Sequence, residues 1–175
     1  MGNRAIGALA ALALSLGGGP ATASGDIGAH PECVRCGMDR DGFGYSRMLV
    51  RFEDGTEVGT CSLNCAVGAV RDGEGSAVRS WKVADYDTRE LLEAAEATWV
   101  IGGTKPGVMT NVPKWAFGKR PDAEAFVARH GGRLATWEEA RTAAEEELAA
   151  RERKAALEGA AGAKEVSTGC CCGDR

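Results

Sequence analysis

Two close cysteine pairs constrain this chain more than any other feature. Cys33-Val34-Arg35-Cys36 runs straight into Gly37-Met38, and Cys61-Ser62-Leu63-Asn64-Cys65 follows further along. Thiolates two or three residues apart grip one ion from a tight turn or a helix start, and a second pair across a hairpin completes a four-sulfur site. Met38 adds a neutral thioether two residues beyond Cys36. Hard cations such as calcium and magnesium take oxygen, so an all-sulfur donor set points to zinc or Cu(I).

The alternatives for these cysteines are two small-loop disulfides (Cys33–Cys36 and Cys61–Cys65), a structural zinc knuckle, or a redox dithiol at Cys33-x-x-Cys36. A thioredoxin-type dithiol belongs between a strand and a helix, whereas a Gly-rich loop and a hairpin follow here. The seven cysteines are odd in number, and three are the consecutive Cys170, Cys171 and Cys172. Adjacent cysteines bridge each other poorly, so a purely disulfide framework fits badly. That terminal cluster would pass or sequester a soft metal, or stand as an unpaired tail.

Residues 1–24 have the features of an export signal. A short basic start at Arg4 precedes a Leu/Ala run from Ala5 to Leu16, and Ala21-Thr22-Ala23 supplies a small-x-small cleavage pattern. The run is shorter than the roughly 20 residues of a membrane span. Since Leu16-Gly17-Gly18-Gly19-Pro20 intervenes where a lipid-bearing cysteine would stand, the expectation is a soluble protein of the periplasm. About 150 residues then remain, enough for one core. A net charge of −4 gives no electrostatic case for nucleic acid or anionic membrane surfaces.

Residues 24–31 read as a flexible lead-in. Strands are expected over 47–52 and 57–60, joined by the Asp54-Gly55 turn, then a helix over 61–70 and a strand over 80–86. The second half has the same order, with strands over 97–101 and 115–117, a helix over 121–130 opened by Pro121 and closed by Gly131-Gly132, and a strand over 133–136. The fold class is therefore α+β: two β-β-α-β units in tandem, about 31–86 and 97–136, followed by a C-terminal helix. Thr136-Trp137-Glu138-Glu139 is a capping box for that helix, expected over 136–158 as a solvated, charge-laced face, with 159–175 a flexible cysteine-containing tail.

Met109 lies in the Gly/Pro loop Lys105-Pro106-Gly107-Val108-Met109, where packing has little use for it, while Met48 falls inside an apolar strand and reads as core. His30 and His130 are weaker candidates, one in the lead-in and one at a helix end. No hydrolase, metalloprotease or phosphate-loop signature is present, and neither histidine is placed as a base for the thiols. An enzyme is not expected.

The cysteine motifs with Asp54-Gly55 resemble the NosL family of accessory proteins for nitrous oxide reductase. So do Lys82-Val-Ala-Asp-Tyr86, Trp99-Val-Ile-Gly-Gly103, Lys105-Pro-Gly-Val-Met109, Lys114-Trp-Ala-Phe117 and His130-Gly-Gly132. The resemblance spans about residues 31–140, and its cysteine half is also similar to TRASH/YHS-type metal modules. It implies an exported Cu(I) metallochaperone of two β-β-α-β units. Its partner would be a client copper enzyme or a membrane copper-delivery complex. The family's Cys-Gly-Met motif falls on Cys36-Gly37-Met38 and its loop methionine on Met109. The metal ligands are then expected among Cys33, Cys36, Met38, Cys61, Cys65 and Met109, holding Cu(I) with zinc as the alternative. Three departures stand out: no cysteine at the cleavage point, Asn64 where relatives with the second pair often carry histidine, and the triple-cysteine tail.

Overall fold

The structure is a computed structural model that describes residues 25–73 and 77–167. The expected export signal and Cys170, Cys171 and Cys172 lie outside the described residues. A short helix α1 (Gly25–Ala29) leads to β1 (Met48–Phe52), β2 (Glu57–Thr60), α2 (Leu63–Asp72) and β3 (Val78–Ala84). A small strand β4 (Leu91–Glu93) precedes β5 (Thr98–Ile101), β6 (Lys114–Phe117), α3 (Arg120–His130), β7 (Arg133–Ala135) and α4 (Trp137–Ser167).

The first sheet has the order β2-β1-β3-β4 and the second β6-β5-β7, and every pairing is antiparallel. Because β5, β6 and β7 occupy the places of β1, β2 and β3, the tandem β-β-α-β arrangement is realised in space. β4 lies outside that repeat, and its three residues carry too little period to be read from sequence.

Alternation along the strands sets which face is buried. Met48, Val50 and Phe52 of β1 point into one core with Leu63, Ala66 and Val67 of α2. Trp99 and Ile101 of β5 join that same core, whereas Val100 points the other way to meet Trp115, Phe117 and Phe126. The second sheet is thus packed on both faces, by α3 on one and by α4 with the first unit on the other. Asp85 fastens the units: its carboxylate accepts the Gly118 amide at 2.6 Å and the Thr88 amide at 2.7 Å.

Two expectations are corrected. The lead-in is not a free segment, since Asp26 of α1 is pinned between Arg40 (2.8 Å) and Arg47 (2.9 Å), all three side chains being nearly inaccessible. Burial of two guanidinium groups demands a carboxylate partner, and Asp26 supplies it. Nor is α4 merely a solvated face. Trp137, Ala140, Ala144 and Leu148 recur at helical spacing and are buried in the shared core. The helix also continues past 158 to Ser167, into the stretch expected to be a flexible tail. Its capping box forms as expected, with Thr136 Oγ1 accepting the Glu139 amide and Glu139 accepting the Thr136 amide.

Candidate metal centre

The first cysteine pair sits on a tight turn closed by hydrogen bonds from the Cys33 amide to the Met38 carbonyl and from the Gly37 amide to the Cys33 carbonyl, each 2.8 Å. Gly37 has φ of +72°, a conformation that disfavours any residue with a Cβ. The second pair brackets the start of α2. Cys61 ends the β2 side, Ser62 caps the helix by accepting the Cys65 amide at 3.4 Å, and Cys65 stands in the first turn. The positive end of a helix favours thiolates there.

Arg40 ties the two cysteine-bearing segments together. From a fully buried position its guanidinium donates to the carbonyls of Thr60 (3.2 Å), Met48 (3.0 Å) and His30 (2.5 Å). Arg35, between the first two cysteines, lays its guanidinium on α2 above Gly68. A Cβ at Gly68 would fall 0.9 Å from Arg35 Nη1, so only glycine permits this approach.

The four thiols meet. Sγ–Sγ separations are 3.6 Å for Cys36–Cys61, 3.7 Å for Cys61–Cys65 and 3.8 Å for Cys36–Cys65, and all four sulfurs lie within 4.8 Å of one another. A tetrahedron of metal–sulfur bonds of about 2.3 Å has an edge of about 3.8 Å, while two sulfurs facing each other across one ion would stand about 4.6 Å apart. Cys36, Cys61 and Cys65 stand at the edge length of such a tetrahedron, and Cys33 lies close enough to complete a four-sulfur cage. Cys33, Cys61 and Cys65 are buried, and Cys36 is half-exposed.

Without an ion the thiols share protons unevenly. Hydrogen bonds from Cys61 and Cys65 pull the Cys33 thiol well down, and donating those bonds pushes Cys61 well up and Cys65 up to about 12. A soft cation replaces those protons and relieves the repulsion among the thiolates.

Met38 is half-buried and packs against the cysteine cluster with Phe43 and Tyr45. Met109 does not sit inside the cluster. It is 41% exposed and stands on the wall of a cavity of about 340 Å³ that Cys36 and Cys65 also line, together with Arg35, Asn64, Leu148 and Arg151. The cavity is therefore the approach to the sulfurs from solvent. His30 and His130 are not in the cysteine group: the His30 Cβ packs over Gly59, and His130 stacks on Phe126 with ring centroids 4.7 Å apart. Met48 is fully buried core.

Residues beside the site that sequence reading missed are Glu147, Lys114 and Arg151. The Lys114 ammonium is 3.0 Å from Glu147 Oε2 and 3.1 Å from Asn64 Oδ1, next to Cys65. Burial pushes the Lys114 amine down, against the pull of Glu147. Burial alone would raise the Glu147 carboxyl, but bonds from Thr110, the Asn111 amide, Lys114 and Asn64 outweigh it and hold it at about 2.

Fold and site together define a small two-sheet α+β protein built around a thiolate cage able to hold a soft metal. The sequence profile of the NosL family matches residues 25–144, and the chain belongs to that family. Among solved structures, the chain is similar to the copper chaperone NosL from Shewanella denitrificans. The TM-score is 0.51 and the identity 23%, over 62% of this chain and 87% of that one. No curated protein sequence matches it. Among the described residues, no helix is long and apolar enough to cross a membrane.

Proposed function

We propose that this protein is an exported, periplasmic Cu(I) metallochaperone that delivers copper for the assembly of a copper enzyme, with nitrous oxide reductase as the client. Hand-over would be to the enzyme itself or to a membrane copper-delivery complex. Cys33, Cys36, Cys61 and Cys65, with Met38 and Met109 as thioether donors, form the ligand pool. The observation that carries this reading is an open side of the cage among the described residues: the half-exposed Cys36, the edge of buried Cys65 and Met109 line a common cavity that Cys33 and Cys61 do not reach. Family membership and the copper-chaperone neighbour support it.

Cu(I) prefers thiolate and thioether to oxygen or amine ligands. Buried sulfurs keep the ion from water, and the open face lets an incoming ligand bind before the last protein thiolate lets go. Transfer then proceeds by stepwise ligand exchange with no free ion and no change in copper oxidation state.

A second reading, structural zinc, draws on the sulfur spacing, because a four-thiolate tetrahedron also suits zinc. A thiol–disulfide oxidoreductase finds no support. Cys33 and Cys36 lie in a turn bracketed by the Glu32–Asp39 bridge and not at a strand–helix junction.

Methionine separates copper from zinc. In chelator competition, Met38→Leu and Met109→Leu should each weaken Cu(I) binding about tenfold and leave zinc affinity unchanged. Cu(I) affinity indifferent to both methionines would favour the zinc scaffold.

A further inference from the structure

Met109 has a backbone φ of +55°, the left-handed region that residues with a Cβ rarely adopt. Among the described residues the only other non-glycine with positive φ is Arg89. Such a conformation persists only where surrounding structure enforces it, and observed outliers of this kind point toward function.

The enforcement comes from one turn of α4. Arg151 Nη1 donates to the Met109 carbonyl at 3.1 Å, and Arg151 Nη2 meets Glu147 Oε1 at 2.6 Å. Glu147 Oε1 also accepts the Asn111 amide at 2.7 Å, so the pair clasps the loop on both sides of Thr110. Glu147 Oε2 accepts from Thr110 Oγ1 (2.5 Å), from Lys114 (3.0 Å) and from Asn64 Nδ2 (3.0 Å). Asn64 is the residue before Cys65. One carboxylate is therefore bonded both to the loop that carries the methionine and to the turn that carries a thiol of the cage.

We propose that Glu147 and Arg151 are positioning residues of the copper site, holding the Met109 thioether at the mouth of the Cys36–Cys65 cavity. This rests on the reading of Met109 as a copper ligand. An unrestrained loop would relax out of the left-handed region and swing the thioether away. The cage would then keep its four thiolates and the Met38 thioether and lose the Met109 thioether, with copper affected and zinc not. Partners that orient a ligand typically matter by about 10–100-fold in metal affinity.

The test is a mutant cycle on the full-length reduced protein, read as Cu(I) and zinc affinities by chelator competition. Met109→Leu, Glu147→Gln and Arg151→Ala should each weaken Cu(I) binding about tenfold and leave zinc unchanged, and Glu147→Gln combined with Met109→Leu should cost no more than Met109→Leu alone. Arg151→Ala removes the Met109 carbonyl contact without disturbing buried Lys114, and so serves if Glu147→Gln does not fold. Loss with Met109→Leu but none with Glu147→Gln or Arg151→Ala overturns the positioning role alone, as would additive losses in the double variant. No loss with Met109→Leu overturns it together with the ligand assignment of Met109. Equal loss of copper and zinc marks a structural role only and also overturns it.

Discussion

The two β-β-α-β units share a strand order but differ where the strands turn. In the first, β1 and β2 are joined by the tight Asp54-Gly55 hairpin, and the junction from β2 into α2 carries Cys61 and Cys65. In the second, the matching hairpin is opened into a loop over 102–113 that carries Met109, and the junction from β6 into α3 is Gly118-Lys119 with no thiol. The second unit is plain scaffold apart from that loop, and the first holds all four cysteines of the cage. The clustered thiols and Met109 therefore sit in or beside the connections, and the repeated strands supply a rigid frame that brings the connections together. α4 closes the arrangement by packing Trp137 and Ala144 into the shared core and turning Glu147 and Arg151 toward the loop.

If the two units form one cooperative frame, damage where they meet should unfold both. Trp137 stacks on Trp81 of the first unit and Trp99 of the second, with centroids 5.5 and 5.6 Å apart. Trp137→Ala should cost about 4 kcal/mol and shift a single thermal transition. Two separated transitions would show that the units fold independently.

The next effect belongs to the first unit alone. Burial would raise the Asp26 carboxyl, but the hydrogen bonds and charges of Arg47 and Arg40 outweigh it and hold it below its ordinary 3.8. A carboxyl lowered on folding stabilises the protein above its unfolded value. That contribution is lost as pH falls through 3.8 and past the folded value. Asp26→Asn strands two buried guanidinium groups and should cost about 3 kcal/mol at neutral pH. Denaturant melts of the two proteins should converge under acid. A constant gap down to pH 2 would mean that the carboxylate charge is not what the arginines need.

A smaller effect tests the thiol turn. Gly37→Ala places a Cβ at φ of +72° with open space around it, so only backbone strain opposes it. The expected cost is about 1 kcal/mol of stability, with weaker Cu(I) binding as the Cys33–Met38 turn loosens. Unchanged stability with unchanged copper affinity would show that this turn is not held in the left-handed form.

Local signals made much of this legible. The Asp54-Gly55 turn between alternating strands, the Ser62 and Thr136 caps, and the paired cysteine spacing each act within a few residues. Long-range pairing was not legible. Asp26 meets partners 14 and 21 residues away, and Glu147 meets Asn64 across 83 residues. Glu147 and Arg151 look in sequence like an ordinary i,i+4 surface pair. Only the Ala140, Ala144 and Leu148 stripe beside them hints that one edge of the helix is covered. Likewise no local pattern in a Gly-rich lead-in marks Asp26 as an anchor.

Copper X-ray absorption on the reduced protein loaded with one equivalent of Cu(I) tests the central claim most directly. The account predicts a Cu(I) edge and a first shell of sulfur alone at about 2.3 Å, with one scatterer fewer in Cys36→Ser. A shell containing nitrogen or oxygen donors, or one unchanged by Cys36→Ser, would contradict a chaperone that holds and releases copper through the open side of its thiolate cage.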